Sequence, residues 1–293
     1  MKNRSNLVEV KRILKNKKSI TDELIGSSVK ATKNYSNSFQ VPNLTKSIRL
    51  FVAEKELEIG KKIKISDGDF WYLFKVMRKK IGDEILIFNG CDGEFVASIS
   101  QIEKKFLLVD VKNKILELTK VENIGLAFAP VKNVRIDFVA AKATELGVSS
   151  FWPILTQRSI VEKINLERFK ANVKEACEQS QRNDFPQIFA AKKLDKFLAE
   201  AEISDKILIL CDESGQGAKA SKVLQEIAKQ LKQNARKEIV ILVGPEGGFC
   251  PAEFSQMRAL KNLFAISLGP RILRSDTAII SALTLVQEFL GDF

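Results

Sequence analysis

The chain has 293 residues, 45% of them hydrophobic, and a formal net charge of +11. That length supports two domains with their own cores; no apolar run reaches the roughly eighteen residues of a membrane span, and the positive balance favours a polyanionic partner, although a merely lysine-rich surface gives the same charge. No histidine is present, which excludes every Ser-His or Cys-His nucleophilic pair, and four cysteines scattered without Cys-x-x-Cys spacing argue against a structural zinc site and a disulfide framework, which fits a reducing intracellular compartment.

Residues 1–46 are rich in Lys, Asn and Ser and poor in acid. Leu7, Val10 and Leu14 predict a short helix over 6–15, and the remainder reads as a flexible extension. It lacks the long apolar segment of a secretory signal. It is either a basic arm for RNA or an extension without a role.

Residues 47–118 change to short strands between turns. Strands are predicted at 49–52, 84–88, 94–99 and 106–111, with an amphipathic helix at 69–77 and an Asn89-Gly90 turn. Strands at about ten-residue spacing suggest a small β-barrel of OB-like or PUA-like type. Arg49, Arg78, Lys79 and Lys80 are candidate phosphate contacts, against the alternative of ordinary solvated charge.

Residues 119–293 alternate strands and helices, the signature of a parallel α/β sheet. Strands are predicted at 124–129, 151–155, 206–211, 239–243 and 266–268, with Pro153 marking an edge or bend. Helices are predicted at 134–146, 166–182 and 218–231, from Pro251, and from Ser275 or Asp276. Glu175, Gln179 and Arg182 share one helix face, either solvated or in contact with RNA or a second subunit.

Two of these strands end in Gly-Pro loops: Leu242-Val243-Gly244-Pro245-Glu246-Gly247-Gly248-Phe249 and Leu268-Gly269-Pro270-Arg271-Ile272-Leu273-Arg274. Loops at the carboxyl ends of parallel strands are where open α/β sheets bind ligands. Pro245 fixes φ, and Gly247 and Gly248 let a ligand approach bare backbone. The spacing matches neither the Gly-x-Gly-x-x-Gly fingerprint nor a P-loop, and a glycine-rich turn without a ligand is the alternative for the first loop taken alone.

This pair of loops resembles those of the SPOUT methyltransferases, and more closely the RsmE family of 16S rRNA (uracil-N3)-methyltransferases. Lys142-Ala143-Thr144-Glu145-Leu146-Gly147-Val148, Thr156-Gln157-Arg158-Ser159 and Glu175–Arg182 extend the similarity, which covers residues 47–293. Three departures stand out. Gln181 replaces a usual glycine, Phe70-Trp71-Tyr72 stands where the family often carries histidines, and Arg274-Ser275-Asp276-Thr277-Ala278 replaces Arg-Thr-Glu-Thr-Ala. The resemblance implies a PUA-like RNA-binding barrel followed by a SPOUT α/β domain with a C-terminal trefoil knot. It implies S-adenosylmethionine as cofactor, without a metal, and a cytoplasmic homodimer acting on 16S rRNA in the small ribosomal subunit. The implied cofactor cradle is Leu242, Val243, Gly244, Pro245, Glu246, Gly247, Gly248, Leu268, Gly269, Ile272, Leu273 and Thr277. Arg271 or Arg274 would stabilise charge on the uracil oxygens, and Asp276 or Glu246 would accept the N3 proton. Arg158 and Arg182 join the candidate RNA contacts. Action on another RNA or base atom, or an RNA-binding assembly role without catalysis, are the rival expectations.

Overall fold

The protein is described here by a computed structural model covering residues 47–293 except 120, 131–132, 160, 162 and 232–236. The basic extension 1–46 and its predicted helix lie outside the described residues. From Ile48 to Phe293 the chain folds as one unit around two sheets.

The first sheet contains β1 (Arg49–Phe51), β2 (Lys62–Ser66), β3 (Glu84–Phe88), β4 (Glu94–Ile102) and β5 (Phe106–Leu116), in the order β1-β3-β4-β5-β2. Only the β1–β3 pair is parallel. In β2 the sequence Lys-Ile-Lys-Ile alternates across the pleat, burying Ile63 and Ile65. Register shifts between β4 and β5 mark bulges, which bend that long pair. The predicted helix over 69–77 is observed as α1 (Asp67–Trp71), which widens into a π-helical turn over Tyr72–Val76. Phe70 and Leu73 drop from it into the core of this sheet.

The second sheet is parallel throughout. In chain order its elements are β6 (Ile124–Phe128), α2 (Asn133–Glu145), β7 (Ser150–Leu155), α3 (Leu166–Ser180), β8 (Gln187–Ile188), β9 (Lys192–Lys193) and α4 (Leu194–Ile203). These are followed by β10 (Ile207–Cys211), β11 (Ala218–Lys219), α5 (Ala220–Leu231), β12 (Ile239–Val243), α6 (Pro251–Arg258), β13 (Leu263–Ser267) and α7 (Ser275–Leu290). The strand order is β11-β13-β10-β12-β6-β7-β8, with β9 also paired to β7. Strands β6, β10 and β12 are buried along their whole length because helices cover both faces. Alternation then sorts each strand between two cores. Ile239, Ile241 and Val243 of β12 face α2, α3, α5 and α7, whereas Val240 and Leu242 face α4 and α6. Each such side chain contributes about 1.5–3 kcal/mol by leaving water.

Pro153 lies inside the sheet and not at its edge. Strand β7 pairs with β6 on one side, while on the other β8 reaches Phe151 and β9 begins at Ile154. Pro153 sits in the gap between β8 and β9, where its missing N–H disturbs no ladder bond.

The path of the last third matters for the site. From β12 the chain crosses through α6 on one face, enters β13 beyond β10, and returns through α7 on the opposite face to pack on β12, α2 and α5. The loop leaving β10 passes so close over β13 that a Cβ on Gly217 would meet the Ile266 carbonyl carbon at 2.7 Å.

Candidate active site at the carboxyl ends of the parallel strands

Because the sheet is parallel, the loops after β7, β10, β12 and β13 emerge at one edge. The loop after β12 is fixed by its own sequence. Phe249 folds back into the core and its ring passes over Gly244, where a Cβ would lie 2.8 Å from the ring. Gly248 takes φ +66 and donates its amide to the Pro245 carbonyl at 2.9 Å. A side chain at either glycine is disfavoured, the first by contact and the second by its left-handed backbone.

Neighbouring loops then brace it. Arg158, after β7, donates Nη1 to the carbonyls of Gly247 (2.9 Å) and Phe249 (3.4 Å). Glu213, after β10, accepts the Phe249 amide on Oε1 at 3.0 Å. Buried Glu253 accepts the Cys250 amide on Oε2 at 2.8 Å and the Gln157 amide on Oε1 at 2.7 Å. The first of these bonds is half of a capping box that starts α6, with Cys250 as the N-cap. Asp212, its side chain wholly buried, accepts the Ser214 amide at 2.7 Å and pairs with Arg258 at 3.2 Å. Charge-assisted bonds of this kind hold backbone more firmly than neutral ones.

The loop after β13 is more open. Gly269 has φ +113, and a Cβ built on it meets nothing within 4 Å. Leu268 and Leu273 are half-buried against the core, while Ile272 is 94% exposed. Arg271 and Arg274 are exposed. Arg274 forms the N-cap of α7, and half-buried Asp276 accepts the Thr277 amide at 2.7 Å. Beside them the Ser275 hydroxyl is buried and has no hydrogen-bond partner among the described residues. Pro245 is buried, and Glu246 and Gly247 are exposed at the mouth of the braced loop.

Apart from Arg158, which braces the glycine loop, the candidate RNA contacts separate into two groups. Arg78 and Lys80 are exposed, and Lys79 is half-buried with Nζ on the Glu84 carbonyl at 3.2 Å. Arg49, expected as a phosphate contact, and Arg182, expected as an RNA or subunit contact, are both engaged within the chain. Arg49 pairs with buried Glu94 at 2.6 Å and donates to the carbonyls of Cys177, Glu178 and Arg182. It lies 4.8 Å from the centroid of the Phe88 ring and so locks the first sheet onto the end of α3. Arg182 grips Asp184 and the carbonyls of Thr144 and Val148. Carbonyls left over at helix ends are natural partners for such cations. Nearby, Glu178 accepts the Phe51 amide at 2.9 Å, and burial raises its carboxyl above the ordinary range.

Sequence reasoning missed the bracing residues Asp212, Glu213, Glu253 and Arg258. Glu253 had a signal, since it stands three residues after the helix start at Cys250-Pro251. Among the described residues there is no cluster of three potential metal ligands and no helix long and apolar enough to cross a membrane.

Comparison with known proteins gives three concordant findings. Family profiles described as an RNA methyltransferase domain and an RNA methyltransferase PUA domain match residues 117–287 and 58–112. The ribosomal RNA small subunit methyltransferase E of Rickettsia conorii is 32% identical over 239 residues, covering 82% of this chain and 94% of its own. Among solved structures, a methyltransferase from Legionella pneumophila with bound S-adenosylmethionine aligns with TM-score 0.72 and 29% identity, over 85% of this chain and all of its own. The ribosomal RNA small subunit methyltransferase E of Neisseria gonorrhoeae, bound to S-adenosylmethionine, aligns with TM-score 0.72 and 26% identity, over 84% and 99%.

Proposed function

The chain belongs to the ribosomal RNA small subunit methyltransferase E family, and from that premise we propose that it transfers a methyl group from S-adenosylmethionine to N3 of a uridine in 16S rRNA. The observation that carries this reading is the braced glycine loop and the open loop after β13 leaving the same end of the parallel sheet. Three side chains hold the first loop's backbone in one shape, and the second offers unfilled space over Gly269 and a buried Ser275 hydroxyl without a partner among the described residues. A ligand with a polar amino-acid end and a flat base fits such bare backbone edges.

In this reading residues 242–248 and 268–273 hold the cofactor, with Ile272 and Leu273 flanking its adenine and Thr277 at its edge. When bound, S-adenosylmethionine supplies an electrophilic methyl group on a sulfonium. The chain's own work is orientation and charge. Arg274, exposed at the start of α7, with Arg271 beside it, meets the negative charge that develops on the uracil oxygens as N3 loses its proton. Asp276 or Glu246 takes that proton. N3 lies on the Watson–Crick edge, so the uridine must be unpaired or flipped out of its helix.

The crossover from α6 through β13 to α7, under the loop that Gly217 brings against β13, supports the knotted topology. The wider setting in this reading is a cytoplasmic homodimer acting on the small ribosomal subunit. The exposed Ile272 side chain is an apolar surface for either a cofactor or a second subunit to cover.

The test is transfer of labelled methyl groups from S-adenosylmethionine to unmodified small-subunit RNA by the wild type and by Arg274→Ala. Transfer by the wild type and its loss in the variant, with cofactor binding kept, is the expected result. Binding of RNA without any transfer would favour an assembly role instead.

A further inference from the structure

Ten large hydrophobic side chains are exposed among the described residues, and five of them, Trp71, Tyr72, Val76, Met77 and Ile81, fall within residues 71–81. The same eleven residues carry four cations, Lys75, Arg78, Lys79 and Lys80, and no acid. Exposed apolar side chains concentrated in one short segment point to an interaction surface, and the segment's charge selects a polyanionic partner.

The backbone here is built to present that patch. Over Tyr72–Val76 the helix widens to a π turn, with the Met77 amide on the Tyr72 carbonyl at 2.9 Å. Such turns are uncommon and collect at functional sites. The next residue, Arg78, takes φ +53, in the left-handed region that a side chain enters only at a cost. Phe70 and Leu73 anchor the segment from below. Trp71 (52% exposed) and Tyr72 (42% exposed) remain half in water, and the Lys75 ammonium sits 5.7 Å from the Trp71 ring centroid. Asp69, on the same helix, is paired with Lys174 of α3 and does not oppose the cations.

Flat rings interleaved with cations are how proteins hold single-stranded nucleic acid, with bases on the rings and phosphates on the cations. We propose that residues 71–81 form a base-stacking platform on which Trp71 and Tyr72 receive unpaired bases of the RNA substrate, while Lys75, Arg78 and Lys80 hold the adjoining phosphates. This rests on the reading that the chain modifies RNA, and it assigns a role to the half-exposed aromatic residues Trp71 and Tyr72.

The test uses the full chain. Trp71 is one of two tryptophans, and the other, Trp152, is buried. Quenching of intrinsic fluorescence by a single-stranded RNA oligonucleotide therefore reports on Trp71. Trp71→Ala and Tyr72→Ala are each expected to raise KM for small-subunit RNA about 5- to 150-fold, with kcat and the KM for S-adenosylmethionine unchanged. Trp71→Phe is expected to keep RNA affinity and lose the quenching. An unchanged RNA KM in both alanine variants, with methyl transfer intact, would overturn the platform and leave the enzyme reading standing. Quenching by RNA without any methyl transfer would support the platform and sink the enzyme reading. Quenching by phosphatidylserine vesicles but not by RNA would overturn it in favour of a lipid surface.

Discussion

Replacing Arg49 by alanine separates a structural arginine from an RNA-binding one. The Arg49 side chain is 9% exposed and that of Glu94 4%, with 2.6 Å between them, and three carbonyls at the end of α3 share the remaining donors. Removing it leaves a buried carboxylate without its cation and several carbonyls without a donor. Breaking a buried pair in this way costs about 3–5 kcal/mol. For a unit of this size that lowers the thermal midpoint by roughly 6–20 °C. Arg49→Lys should recover little, because one ammonium cannot serve Glu94 and three carbonyls with a planar fork. Pairing Arg49→Met with Glu94→Leu should recover much of the loss, since no charge is then stranded. The assay is thermal unfolding followed by circular dichroism, beside RNA binding at a temperature where all variants are folded. An unchanged midpoint with weakened RNA binding would refute the buried latch and restore the phosphate contact.

Gly248→Ala places a Cβ 2.5 Å from Glu213 Oε1 at φ +66, so the carboxylate must swing away and release the Phe249 amide. A loss of about 1–3 kcal/mol follows; calorimetry should show S-adenosylmethionine binding weakened roughly tenfold, and equal affinity would contradict the bracing role. Gln181 occupies the left-handed C-cap of α3 at φ +64, so Gln181→Gly should raise unfolding stability by about 1 kcal/mol, and a lowered midpoint would show that the side chain contributes more than its strain. Burial pushes the Cys177 and Cys211 thiols from 9.0 up to about 12. Iodoacetamide at pH 8 should accordingly label exposed Cys91 first, as peptide mass mapping can show. The sign for stability follows from the raised values. The unfolded thiols ionise near 9 while the folded ones do not, so this contribution is intact below pH 9 and lost between 9 and about 12. A midpoint that rises over that range would contradict it.

Most of the parallel sheet was legible because buried strands are unbroken apolar runs, as in Ile207–Cys211 and Ile239–Val243. The glycine loops were legible for a related reason, since glycine and proline mark where backbone must turn sharply. Strand β2 was not, because two lysines interrupt five residues, and α4 was missed although Leu194, Phe197, Leu198 and Ala201 carry helical spacing. The π turn at Tyr72–Val76 has no simple sequence signature. The clearest limit lies with the arginines. Arg49, Arg78 and Arg182 look alike in a basic sequence, yet Arg49 meets buried Glu94 and carbonyls of a distant segment, Arg182 meets half-buried Asp184 and the distant carbonyls of Thr144 and Val148, and Arg78 faces water. Only tertiary contacts separate them. The bracing of Gly247, Phe249 and Cys250 by Arg158, Glu213 and Glu253 likewise joins residues as much as 91 positions apart.

The most direct test of the enzyme reading is the identity of the methylated nucleoside. Unmodified small ribosomal subunits are incubated with the protein and S-adenosylmethionine, and the digested RNA is analysed by mass spectrometry. The account predicts 3-methyluridine, absent with Arg274→Ala. A different methylated nucleoside, or none from a folded protein that binds the cofactor, would contradict it.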